Sequence, residues 1–89
     1  VKSEVTEEFL DAFKRLPHRI KRVAKKNYRL WKRSPEHPSL EFKRVGKRSP
    51  VYSVRVGIGW RALGLKDKDL ITWFWIGPHA EYDRLIARQ

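Results

Sequence analysis

Eighty-nine residues with 40% hydrophobic content, four Trp, four Phe and three Tyr can fill one compact core and leave no room for a second. A single domain over residues 1–89 is therefore expected. The absence of Cys excludes a disulfide framework, thiolate chemistry and any Cys-based zinc site, and no apolar run is long enough to cross a bilayer. A formal charge of +11, from 21 Lys and Arg against 10 Asp and Glu, asks for a polyanion or an acidic protein as partner.

The opening residues Val1-Lys2-Ser3-Glu4 lack the basic-then-apolar pattern of a secretion signal, so a cytoplasmic location is expected. Val5, Phe9, Ala12, Phe13 and Leu16 then recur at helical spacing. Ser3 and Thr6 both stand where a cap is needed, and Glu4, Glu7 and Glu8 lie near the positive end of the helix dipole. Pro17 ends this first helix and suits the opening turn of a second, whose inward stripe is Ile20, Val23, Ala24, Asn27, Leu30 and Trp31. The rest of that helix is basic: from Ala12 to Pro35 there is no acid but ten Lys or Arg, among them Arg22, Lys25, Lys26 and Arg29. An ordinary solvated face mixes both signs, so this one reads as a docking surface for a polyanion.

Ser34-Pro35-Glu36-His37-Pro38 closes the hairpin, because each proline disfavours helical geometry in the residue before it. Ser39 to Val45 is expected to be short and extended, Gly46 to Pro50 a turn, and Val51 to Gly57 a strand with Tyr52, Val54 and Val56 on one face and Arg55 on the other. Gly57-Ile58-Gly59 permits a tight reversal into a strand over Trp60 to Leu65, where Arg61 alternates with Trp60 and Ala62. After a turn at Lys66 to Asp69, Leu70 to Ile76 is apolar at nearly every position, the pattern of a central strand covered on both faces. Gly77 and Pro78 start a last helix with Tyr82, Leu85 and Ile86 inward. The expected fold is α+β: a helical hairpin on one face of a curved antiparallel sheet of about four strands, then a short C-terminal helix. Lys43, Arg55 and Arg61 are candidates to line the uncovered sheet face.

The ionisable residues cluster at the end of the most apolar segment, in Trp73-Phe74-Trp75-Ile76-Gly77-Pro78-His79-Ala80-Glu81-Tyr82-Asp83. His79-x-Glu81 resembles part of a zinc deaminase signature, but the downstream Pro-Cys-x-x-Cys is missing. Residues two apart on a helix point in different directions, which argues against a metal held by His79, Glu81 and Asp83. No metal or other cofactor is implied. His79, Tyr82 and Asp83, at i, i+3 and i+4, do share one flank and can form a proton network. The plainer alternative is a core tyrosine, an Asp83–Arg84 pair and a histidine bonded to backbone. The glycines at 57, 59 and 64 miss the spacing of a dinucleotide fingerprint, and there is no Walker motif or nucleophile elbow, which leaves metal-free acid/base chemistry as the enzymatic option.

The segments Leu16-Pro17, Pro35-x-x-Pro38-Ser39-Leu40, Phe42-Lys43-Arg44-Val45, Tyr52-Ser53-Val54-Arg55-Val56-Gly57, Trp60-Arg61-Ala62-Leu63-Gly64 and Trp75-Ile76-Gly77-x-His79-x-x-Tyr82-Asp83, in this order, resemble the small toxins of the RelE/ParE superfamily, in particular its compact ParE-like branch. The resemblance covers nearly the whole chain. It implies a helical hairpin on a curved antiparallel sheet, often preceded by a strand, for which only Lys2 to Val5 is available here.

RelE-like members cleave messenger RNA in the ribosomal decoding site without a metal, the ribose 2′-hydroxyl attacking the neighbouring phosphate; ParE-like members poison DNA gyrase. Each is neutralised by a cognate antitoxin. Carried onto this chain, the resemblance implies Arg55 and Arg61 as holders of the phosphate charge, Lys43 and Arg44 as further RNA contacts, and His79 as general acid or base with Tyr82 and Asp83 orienting it or stacking on a base. Ser53 departs from the pattern, standing where some cleaving relatives carry a second Lys. The implied function is that of a type II toxin acting as a ribosome-dependent endoribonuclease, with the hairpin cations on ribosomal RNA. The alternatives are a gyrase poison and a non-catalytic RNA-binding domain.

Overall fold

In the computed structural model, which describes residues 2–88, Thr6 ends a short strand and starts the first helix. Its hydroxyl accepts from the Phe9 amide at 3.1 Å, satisfying one of the free donors of the first turn of α1 (Glu7–Lys14), where Glu7 and Glu8 complement the dipole. Val5, expected at the head of this helix, is instead the last residue of β1 (Lys2–Val5) and is half-exposed. Ser3, the other cap candidate, shares a 2.5 Å hydrogen bond with the Tyr28 hydroxyl. Pro17 precedes α2 (His18–Arg33), whose Ile20 and Trp31 are buried.

Where an extended segment is expected from Ser39, the chain makes a 3-10 turn over Pro38–Leu40, because Pro38 occupies its first position and His37 Nδ1 accepts from the Ser39 amide at 3.3 Å. Only Lys43–Arg44 remains extended, as β2. Strands β3 (Val51–Arg55), β4 (Trp60–Asp67) and β5 (Leu70–Pro78) follow, then α3 (His79–Ile86). The β3–β4 turn rests on Gly57 and Gly59, whose φ values of 64° and 85° lie in the left-handed region that a β-carbon disfavours.

The sheet order is β1-β5-β4-β3-β2. The four C-terminal strands are antiparallel as expected; β1 adds a fifth, parallel to β5, with Lys2 opposite Leu70 and Val5 opposite Trp73.

On one face, α1 and α2 cover Val54, Val56, Ala62, Ile71, Trp73 and Ile76. Trp31 stands edge-on to Trp73 and Phe42, with ring centres 5.3 and 5.7 Å apart. On the other face, α3 brings Tyr82, Leu85 and Ile86 onto Val51, Leu63, Phe74 and Trp75. The hairpin therefore shares no face with the last helix. The apolar run Trp73-Phe74-Trp75 has a geometric origin: Gly64 pairs with Trp73 and Leu63 with Trp75, so Phe74 is an extra residue that bulges the strand and reverses its parity. Trp73 faces the hairpin while Phe74 and Trp75 face α3. Among the described residues no helix is long and apolar enough to cross a membrane.

Candidate functional site

Register assembles the site. Lys43 pairs with Ser53, Arg55 with Arg61, and Arg61 with Gly77, and Glu41, two residues before β2, brings its carboxylate to both arginines. Arg55, Arg61 and Gly77 thus form one row across three neighbouring strands, on the α3 face, with His79 two residues beyond its end. Gly77 is required in that row: the Trp75 ring lies over it, and a β-carbon there would fall 2.6 Å from Trp75 Cζ2.

Arg61 is only 5% exposed, unusual for a charged residue, and its burial is compensated on three sides. Nη1 donates to the Ser53 hydroxyl at 3.2 Å, Nη2 donates to Glu41 Oε1 at 2.5 Å, and the guanidinium carbon stands 5.3 Å from the centre of the Tyr82 ring. Arg55, half-exposed, donates from Nη1 to Glu41 Oε2 at 3.1 Å. The hydrogen bond from Arg61 and its charge, with lesser help from the charges of Arg55 and Lys43, hold the Glu41 carboxyl below its ordinary range against the opposing effect of burial.

Tyr82, 3% exposed, is the link to α3. Its ring carries the Arg61 guanidinium on one side and lies 5.3 Å from the imidazole of His79, tilted by 45°. His79 opens the helix; its amide donates to the Gly59 carbonyl at 2.8 Å, tying the helix start to the β3–β4 turn. Its Nε2 is 3.3 Å from Asp83 Oδ1, one helical turn on, which leaves Nδ1 for other partners. About half of the imidazole is exposed. The five residues Arg55, Arg61, Tyr82, His79 and Asp83 therefore form one continuous strip on one side of the molecule, running from paired cations to an accessible imidazole.

The remaining candidates are distributed differently. Lys43 shares the sheet face of Ser53 and adds to the positive field around Glu41. Arg44, paired with Tyr52, belongs to the opposite face, and its Nε donates to the Gly46 carbonyl at 2.9 Å within its own turn. Arg22, Lys25, Lys26 and Arg29 are exposed on α2, across the sheet from the strip. A hollow of about 460 Å3 also lies on that side, with chiefly apolar walls from Val5, Leu10, Phe13, Tyr28 and Trp73. Among the described residues no group of three or more His, Asp or Glu side chains is gathered for a metal ion.

Sequence reasoning missed two members of the site. Ser53, read as a lost cation, is a fully buried acceptor for Arg61. Glu41 fits no motif, yet the sequence carries a signal for it: it is the only acid in residues 37–66, among seven Lys and Arg.

The model of the ParE-like toxin domain family matches residues 18–84. Among solved structures, the RelB-RelE antitoxin-toxin complex from Methanococcus jannaschii holds a similar chain, with a TM-score of 0.72, 19% identity, and 91% of this chain and 96% of that one covered. YafQ from E. coli has a TM-score of 0.72 at 15% identity, over 91% of this chain and 96% of its own. The E. coli RelBE toxin-antitoxin complex follows at 0.63 and 14%, over 86% and 94%. No curated protein matches in sequence. At these identities the shared feature is the fold.

Proposed function

The chain belongs to the ParE-like toxin domain family, and from that premise we propose that it is the toxin of a type II toxin-antitoxin pair that cleaves messenger RNA on the ribosome. A cognate antitoxin is its protein partner and the cytoplasm its place of action. One observation carries this reading: a buried, oriented guanidinium lies under a tyrosine whose other neighbour is an accessible, carboxylate-anchored imidazole. A module that only docks on nucleic acid has no use for so costly a burial, since exposed cations suffice for that.

Arg55 and Arg61 hold the non-bridging oxygens of the scissile phosphate and take up the charge that grows on them as the ribose 2′-oxygen attacks phosphorus. The 2′-hydroxyl proton leaves as the P–O bond forms, and the departing 5′-oxygen gains a proton as its bond to phosphorus breaks. The products are a 2′,3′-cyclic phosphate and a 5′-hydroxyl. His79 performs one of these proton transfers through Nδ1, with Asp83 fixing the ring. Tyr82 sets the separation of His79 from Arg61. The cations of α2, on the other side of the sheet, contact ribosomal RNA at a distance from the cut.

Mapping transcript 5′ ends after brief induction tests this: new ends within translated codons are expected from the parent, and none from Arg61→Ala or His79→Ala, while both variants still bind antitoxin. Intact transcripts with broken chromosomal DNA would transfer the assignment to gyrase. Growth arrest by both variants at the parent's level would strip the strip of its role.

A further inference from the structure

Glu41 gives each carboxylate oxygen to a different guanidinium, Oε1 to Arg61 at 2.5 Å and Oε2 to Arg55 at 3.1 Å. A phosphodiester offers the same pair of acceptors: two non-bridging oxygens on one centre that together carry one negative charge. The seat that two adjacent cations make for a phosphate is thus occupied by the chain's own side chain.

Three features fit a seat that an incoming anion can take over. The carboxylate is on the solvent side of Arg61, 41% exposed against 7% for that side chain, and is as open as Arg55 at 39%, so it lies where an incoming anion arrives. Its backbone is held at φ 45°, in the left-handed region, between the 3-10 turn and β2, a conformation that a non-glycine residue keeps only when its surroundings enforce it. And a guanidinium as buried as Arg61 is unfavourable without a counter-ion, so something anionic must stand there while the site is empty.

We propose that Glu41 is an internal phosphate surrogate: it sits on the Arg55–Arg61 pair in the unliganded protein and must swing off before an RNA phosphodiester binds there. This rests on the reading of that pair as the phosphate site. It makes the empty site self-neutralised, and it sets a threshold that a weakly held polyanion does not pass, because the carboxylate has to be displaced as the phosphate enters.

The test is inorganic phosphate binding to the full chain at constant ionic strength, followed through the Nε–Hε NMR signals of Arg55 and Arg61. Glu41→Gln removes the charge at nearly equal size and should bind phosphate about tenfold more tightly than the parent, the equivalent of one charge-assisted hydrogen bond. The gain should vanish in the Glu41→Gln/Arg61→Lys double variant. Glu41→Asp, one methylene shorter and still charged, releases one guanidinium and should show a smaller gain; it keeps the proposal testable if the Gln variant fails to fold.

Phosphate affinity at or below the parent's in the folded variant, or a gain that persists without Arg61, overturns the proposal. Messenger-RNA cleavage is read separately on ribosomes. Cleavage by the parent with no affinity gain in the variant sinks the surrogate and leaves the nuclease standing; a gain in affinity with no cleavage by the parent does the reverse.

Discussion

The two faces of the sheet bury their residues by different means. Under the hairpin, the layer of Trp31, Phe42, Trp73, Ile20 and Ile71 is aromatic and aliphatic, and the indole N–H groups of Trp31 and Trp73 have no hydrogen-bond partner among the described residues. Under α3, the buried residues include Ser53 and Arg61, bonded to each other, and Arg61 is also bonded to Glu41. Apolar burial is strong but nearly undirected, whereas hydrogen bonds and ring stacking fix an orientation. The first layer supplies stability and the second supplies position. Damage to the first should therefore unfold the protein, and damage to the second should silence it.

The largest expected effect is on the hairpin side. Trp73→Ala should lose about 3–5 kcal/mol of stability, as large-to-small changes at buried aromatic positions do, seen as a lowered denaturation midpoint. On the other side, Arg61→Ala should lower cleavage by about 100-fold or more, the usual cost of removing one donor to a developing oxyanion, while the folded chain still binds antitoxin. If instead Arg61→Ala unfolds the chain and Trp73→Ala does not, the division of labour is wrong.

A change that touches neither layer gives a smaller and purely structural result. Thr6→Ala removes the cap of α1 and should lower stability by about 1 kcal/mol in urea denaturation with cleavage by the folded fraction unchanged.

The smallest effect is one of pH. Because the folded Glu41 carboxyl titrates below its ordinary value, the stability it adds is fully present above that ordinary value and disappears as pH falls through the depressed one. Urea midpoints measured from neutral to acid pH should fall less steeply in Glu41→Gln than in the parent. Parallel curves would show that the carboxylate gains nothing from its cations on folding.

Much of this architecture is written in local patterns. The 3.6-residue stripes of Phe9 to Leu16 and Ile20 to Trp31, the glycines around Ile58 and the alternation of Tyr52, Val54 and Arg55 all report interactions between near neighbours in the chain. The joint flank of His79, Tyr82 and Asp83 was legible for the same reason, being a matter of helical spacing alone. Three things were not. β1 is four residues of largely polar sequence whose one strand partner among the described residues is β5, so nothing in its own pattern marks it as a strand and only the family resemblance points to Lys2–Val5. The bulge at Phe74 reverses the side-chain parity of β5, and an unbroken apolar run does not say where the reversal falls. The burial of Arg61 depends on Glu41 and Ser53, 20 and 8 residues away in sequence, and on a left-handed backbone at Glu41 that no residue preference announces.

The row of Arg55, Arg61 and Gly77 has a mechanical corollary. Its members stand on successive strands, so the spacing of the two guanidinium groups is set by the inter-strand pitch of about 4.8 Å rather than by the length of any side chain. A slip of β3 by one residue would keep most backbone ladders paired but would turn Arg55 toward the aromatic layer and Val54 into its place. Misalignment alone would thus part the two guanidinium groups without melting the sheet, and the glycine turn between β3 and β4 is the fastener that holds the alignment.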